Sequence, residues 1–152
     1  MPSSTRDSAG LILAILLGVT AFFIYCGWWV LIPTNIAWLE AGDRAMHQLG
    51  WMFFRQAPWG FPPGSSPLLG IEIANSIALV DGLPLFAIPF KLIARWLPEP
   101  FQYWGYWLLL SFILQSVFAW RIARELGAGR VASLVAAALV LIAPTYLFRI
   151  PQ

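Results

Sequence analysis

The stretch GLILAILLGVTAFFIYCGWWVLIP, Gly10 to Pro33, holds no charged residue. About 20 apolar residues suffice to cross the hydrocarbon core of a bilayer, so this run constrains every fold open to the chain. A water-soluble fold would have to bury it whole. Of 152 residues, 60% are hydrophobic and only 11% charged, with a mean hydropathy of +0.75. Soluble domains carry about a quarter charged residues, so too few charges remain to coat a soluble globule. A cleaved signal peptide does not fit either. The apolar run is too long, FFIYCGWWV offers no small-x-small cleavage site, and FIYC is a poor lipoprotein signal. The run reads as an uncleaved anchor and first transmembrane helix over residues 10–33, ended by Pro33.

Two further spans are expected. WGYWLLLSFILQSVFAW, Trp104 to Trp120, has aromatic residues at both ends, as membrane interfaces favour. VASLVAAALVLIAPTYLF, Val131 to Phe148, follows, with Pro144 as a kink or exit point. Between them RIARELGAGR, Arg121 to Arg130, carries three arginines, and short Arg-rich loops stay cytoplasmic. Residues 1–9 are then inside, 34–103 outside, 121–130 inside, and 149–152 outside again. The expected class is an all-α membrane protein: three transmembrane helices plus amphipathic interfacial helices in a long outer loop. Its expected location is a bacterial inner membrane, with membrane lipid as a partner. A net charge of +2 without a basic run excludes a nucleic-acid surface. Cys26 is the sole cysteine, so it forms no intramolecular disulfide.

The outer loop holds the polar chemistry. Asn35 to Arg55 has helical spacing, with Asn35 as a cap. On such a helix Glu40, Asp43 and His47 share one face. Asp43 and His47, at i and i+4, can share a metal or a proton. The same spacing also suits a solvated face on which Glu40 pairs with Arg44. PWGFPPGSSPLLG, Pro58 to Gly70, demands turns. It lacks the lysine of a phosphate-binding loop and the glycine spacing of a dinucleotide site. Asn75 and Ser76 suit the cap of a turn. Asp81 is either a helix cap or a functional carboxylate. Leu83 to Leu97 is either a fourth span or an interfacial helix. Pro84 and Pro89 inside it favour the interface. So does the expected face of Lys91 and Arg95, opposite a stripe of Phe86, Phe90, Ile93 and Leu97. With one histidine and one cysteine, a multi-histidine metal site and a CxxC pair are excluded.

The order of these pieces resembles the amino-terminal part of GT-C-type glycosyltransferases, multi-pass enzymes that use polyprenyl-phosphate-linked sugars. The pieces are an anchor, an outer loop with an early Asp, and "PL" opening a helix that ends in Lys/Arg. "RIARELG" and an Ala/Leu-rich helix ending in "AP" follow. GDRAMHQLGWMFFRQAPWGFPPG, NSIALVDGLPL and LPEPFQYWG are more closely similar to an uncharacterised bacterial family of multi-pass proteins, a domain of unknown function, over about Asn35 to Leu126. The resemblance implies that Asp43 acts as base or as ligand to a divalent metal, with Asp81 as a second carboxylate. It matches His47 to a family histidine without an established role. A phosphate leaving group needs positive charge, which Arg44, Arg55, Lys91 or Arg95 can supply. The implied function is the amino-terminal part of a membrane glycosyltransferase with a polyprenyl-phosphate sugar donor, inactive as this piece alone. The alternative is a non-catalytic assembly or lipid-binding subunit.

Overall fold

The computed structural model describes residues 4–40, 42–68, 75–80 and 82–143, and leaves the side chains of 4–7, 43 and 75 undescribed. The chain is mostly helical. In order it forms α1 (Ser4–Tyr25), α2 (Asp43–Gln56), β1 (Ser65–Ser66), β2 (Asn75–Ser76), α3 (Pro84–Leu92), α4 (Trp104–Glu125) and α5 (Arg130–Leu141). Short 3₁₀ turns occupy Trp28–Leu31, Ala37–Leu39, Ile77–Val80 and Ala94–Trp96. The chain divides into two compact units, one of Met1–Leu31 with Trp104–Gln152, the other of Ile32–Tyr103.

In the first unit α4 packs on both α1 and α5. Ala14, Trp120 and Ala137 form its buried centre, with Leu17, Val117, Ala119 and Leu134 around them. Small residues let the helices approach. A Cβ added to Gly18 would lie 2.8 Å from both the Ile113 Cα and the Phe112 carbonyl oxygen. Ser116 Oγ, fully buried, donates to the Ala14 carbonyl at 2.7 Å and ties α4 to α1. Phe112 meets Phe22 edge-on with centroids 5.9 Å apart and stacks on Tyr25 at 6.3 Å.

Among the described residues two helices are long and apolar enough to cross a membrane, within Ser8–Tyr25 and Trp104–Glu125. Their limits differ from those expected. α1 begins at Ser4, ahead of the apolar run, and ends at Tyr25 rather than at Pro33. The cause is Gly27, whose φ of 76° turns the chain out of the helix. α4 runs past Trp120 to Glu125, so half of the expected Arg-rich loop is helical. It ends in a Schellman motif at Gly127 (φ 85°). Ala128 N–H donates to Ala123 O and Gly127 N–H to Arg124 O, each at 3.0 Å. Arg121 and Glu125 pair across one turn at 2.6 Å. α5 has 12 residues. At 1.5 Å per residue that is about 18 Å, short of the ~30 Å core. Residues 144–148 of the expected third span lie outside the described residues.

The second unit has little repetitive structure. β1 and β2 pair antiparallel, Ser65 opposite Ser76, and close the turn-rich stretch after α2. Ser76 Oγ accepts the Ala78 N–H at 3.3 Å and so caps the turn into Ile77–Val80. The single helix expected from Asn35 to Arg55 is broken. A 3₁₀ turn covers Ala37–Leu39, and α2 starts only after Gly42 (φ 63°). Glu40 therefore stands outside α2 and does not share a helical face with Asp43 and His47.

Candidate functional site

The second unit is organised around the inward face of α2. Trp51 and Phe54 are fully buried there, and Gln48 nearly so. Gln48 Nε2 and Trp51 Nε1 both donate to the Phe101 carbonyl, at 3.2 and 3.1 Å. Gly50 lets α2 close on the turn at Ile77–Val80, where an added Cβ would run into the Val80 side chain. His47 Nδ1 lies 3.2 Å from the Val80 carbonyl, a contact that puts a proton on that nitrogen. Arg55 is fully engaged with backbone. Its guanidinium donates to the carbonyls of Pro98 (2.8 Å), Leu97 (2.8 Å) and Ala94 (3.0 Å). These groups close the end of the turn at Ala94–Trp96.

α3 packs against this face with Lys91 turned inward, where its sequence suggests an outward polar side. Lys91 and Ala87 point inward and are buried, while Leu85, Leu92 and Ile93 are exposed. Phe86 and Phe90 stack on Tyr103, with centroids 6.0 and 5.6 Å apart. Tyr103 is itself buried, and its hydroxyl donates to the Gly82 carbonyl. Burial pushes that phenol well above its usual range. The helix ends at Leu92, so Arg95 falls on the following 3₁₀ turn and shares no helical face with Lys91. Arg95 stacks over Trp96 at 4.0 Å.

Lys91 is the chemically distinctive group. It is 6% exposed, and its ammonium finds no hydrogen-bond partner among the described residues. Two aromatic faces hold it instead: Phe54 at 3.9 Å from Nζ to the centroid, and Trp59 at 4.8 Å. Ring quadrupoles attract a cation but leave its charge uncancelled. Burial lowers the Lys91 pKa from the ordinary lysine value. Phe54 is sealed inside the unit, whereas Trp59 is half exposed and forms the outer wall. Phe54 and Trp59 meet edge-on at 6.4 Å.

The structure therefore brings Lys91 to the inner face of α2 and directs Arg55 to main-chain carbonyls. Arg44 is half-buried on the first turn of α2, and His47 lies one turn further along. Asp43 is the first residue of α2, with its side chain undescribed, and Asp81 lies outside the described residues. Among the described residues no three His, Cys, Asp or Glu come together as a metal site. Sequence reasoning does not pick out Phe54 or Gln48. Phe54 and Gln48 follow from the i+3, i+4 inward face of α2, but nothing local places Trp59 over Lys91.

A sequence profile described as a domain of unknown function, DUF6311, matches residues 15–152. No curated protein and no solved structure matches the chain.

Proposed function

The chain belongs to the DUF6311 family, a domain of unknown function. We propose that it works as a GT-C-like membrane glycosyltransferase, moving a sugar from a polyprenyl-phosphate donor at the outer face of a bacterial inner membrane. The observation that carries this reading is Lys91, a buried ammonium with aromatic walls and no counter-charge among the described residues. An uncancelled positive charge is what a departing phosphate requires.

The membrane setting rests on α1 and α4. Only 28% and 17% of their apolar windows are buried within the chain, so most of that surface calls for lipid or another helix. In this reading α5 is a third span, and the exposed apolar residues of α2 and α3 lie along the outer interface. Met46, Leu49, Met52 and Phe53 form that surface on α2, and Leu85 and Leu92 on α3.

Chemically, the acceptor hydroxyl passes its proton to Asp43 as its oxygen bonds to the sugar's anomeric carbon. The bond from that carbon to the polyprenyl phosphate breaks, and the phosphate leaves with the electron pair toward Lys91. Asp81 is the second candidate carboxylate. Asp43→Asn keeps the size and removes the basicity. Sugar transfer by membranes containing the protein, assayed with radiolabelled polyprenyl-phosphate sugars, should fall about a hundredfold or more. Full activity in the Asn variant would refute the assignment.

The second reading is a non-catalytic assembly or lipid-binding subunit. It draws on Arg55 and Arg95, two cations expected to meet phosphate that instead engage carbonyls and the Trp96 ring. Binding of polyprenyl phosphate without any sugar transfer would favour it.

A further inference from the structure

A phosphate has no route to Lys91 in the arrangement described above. Nζ has essentially no surface open to solvent. An anion binds an ammonium through direct contact at about 2.7–2.9 Å, and the rings of Phe54 and Trp59 already stand over Nζ at 3.9 and 4.8 Å. One of these walls has to move. Phe54 is fully buried on α2, so shifting it would open the core of the unit. Trp59 is half exposed and lies beyond the end of α2. It belongs to a strap, residues 58–63, in which every residue is exposed and none is helical or in a strand. The strap is held at both ends. Ala57, buried, donates its N–H to Phe53 O at 2.9 Å, and Ser65 N–H donates to Pro62 O at 3.0 Å beside the β1–β2 ladder. The indole is drawn inward by its face on Lys91 and its edge contact with Phe54. Such contacts are individually weak, so the strap can part from the ammonium while the rest of the unit stays folded.

We propose that Trp59 is the gate to Lys91: the strap swings outward, lifts the indole off the ammonium and admits the phosphate of a polyprenyl-phosphate lipid. This rests on the reading of Lys91 as the partner of that phosphate. Closed, the gate keeps water and soluble anions from a buried charge. A prenyl chain offers apolar surface to the exposed rings of Trp59 and Phe61 as the strap moves, which an inorganic anion does not.

Lys91 is the sole lysine of the chain, so acetylation by a sulfonated succinimidyl ester, read by mass on its own peptide, reports access to one side chain. The full chain is treated in phosphatidylcholine vesicles at about pH 9, where lysine is partly neutral. In the wild type the reaction runs only through the open fraction. Trp59→Ala should raise its rate about tenfold or more, the scale of one desolvated cation–π contact. A disulfide probes the same motion with the ring in place, so a rise caused by unfolding cannot by itself sustain the gate. A Cβ added to Gly60 would lie 3.8 Å from the Ser65 Cβ, the separation a disulfide takes. The Gly60→Cys, Ser65→Cys protein should react about tenfold more slowly oxidised than reduced. Equal rates in the two redox states, or Trp59→Ala no faster than wild type, would overturn the gate. Polyprenyl phosphate in the vesicles should protect Lys91 of the Trp59→Ala protein, whether or not inorganic phosphate does so too. Protection by inorganic phosphate alone would overturn the lipid assignment. Protection by neither would overturn the reading of Lys91 as a phosphate partner, even where the redox difference upholds the moving strap.

Discussion

In the unit of α1, α4 and α5, main-chain groups pair within long helices, and Ser116 to Ala14 is a side-chain bond that crosses between them. In the unit Ile32–Tyr103 the main-chain carbonyls of Val80, Gly82, Leu97, Pro98 and Phe101 are met by side chains instead, and those of Ile32 and Ala94 by side chains as well as by backbone. The difference follows from element length. A helix of 22 residues satisfies nearly all its own polar groups, so its packing is governed by shape. A segment of 3₁₀ turns and a two-residue ladder cannot, and every buried carbonyl still needs a donor. The second unit therefore turns Gln48 and Arg55 inward beside the buried Trp51 and Phe54, and leaves Met46, Leu49, Met52 and Phe53 exposed on the same helix. The helix is thus apolar on its outer face as well as its inner one. It suits a surface covered by lipid or by more protein. If this comparison is right, the second unit should fail when a donor is removed, and the first when volume is added.

Arg55→Ala should give the largest loss. It removes the donor to three carbonyls at the end of the Ala94–Trp96 turn, of which only Ala94 O keeps another, the Leu97 N–H. Hydrogen bonds from charged donors contribute about 1.5–3 kcal/mol each when buried, and here one is exposed, so the total is about 3 kcal/mol. Amide hydrogen exchange around residues 94–104 of the full chain should quicken by about a hundredfold. Arg55→Lys should recover only part, since a single ammonium cannot span the three acceptors. Native-like protection in the alanine variant would mean that the carbonyls have other donors and that the unit is not stitched as described.

Gly18→Val tests the other side. Its side chain would push on the backbone of Ile113 and Phe112, which has no rotamer to give. Overpacking of this kind costs about 1–3 kcal/mol. Loss of helicity on titration with sodium dodecyl sulfate should shift to lower detergent, while exchange in residues 32–103 stays unchanged. An unchanged transition would show that α1 and α4 are not in close contact at Gly18.

The same contrast governs what the sequence reveals. The cores of α1 and α4 are legible because an uncharged run of sufficient length has few alternatives. Their ends are less so. Gly27 and Gly127 stop the helices through positive φ, a backbone property that competes in the sequence with the more obvious Pro33 and with the arginines after Trp120. In the second unit periodicity misleads. It joins Asn35 to Arg55 across Gly42, where the backbone turns at φ 63°. It also sets Lys91 outward with Arg95. The actual orientation depends on the rings of Phe54 and Trp59, which come from other parts of the chain. Lys91 and His47 are visible in the sequence as candidate residues, but the contacts that surround each are not.

Lys91→Met should have the smallest effect on stability and the opposite sign. Methionine keeps the length and the contact with Phe54 and Trp59 but removes a buried charge that lacks a hydrogen-bond partner among the described residues. Losing the desolvation penalty outweighs losing a cation–π attraction of about 0.5–2 kcal/mol, so the variant should be neutral or up to about 1 kcal/mol more stable. The pH dependence sharpens this. Burial lowers the folded-state pKa of Lys91 below the ~10.4 of an unfolded chain. Between those two values the unfolded chain binds more protons, so native stability rises with pH. The penalty is complete below the folded value and gone above the unfolded one. Subtilisin digestion of residues 32–103 in the full chain should therefore slow, relative to an exposed control site, as pH is raised from about 7 toward 10. The Met variant should lack that trend. Its sugar transfer should nonetheless fall, by about a hundredfold if the ammonium meets the departing phosphate. A variant that is more stable but inactive would separate a charge kept for function from one kept for packing. A variant that is less stable at every pH would instead make Lys91 a structural cation clamped between Phe54 and Trp59.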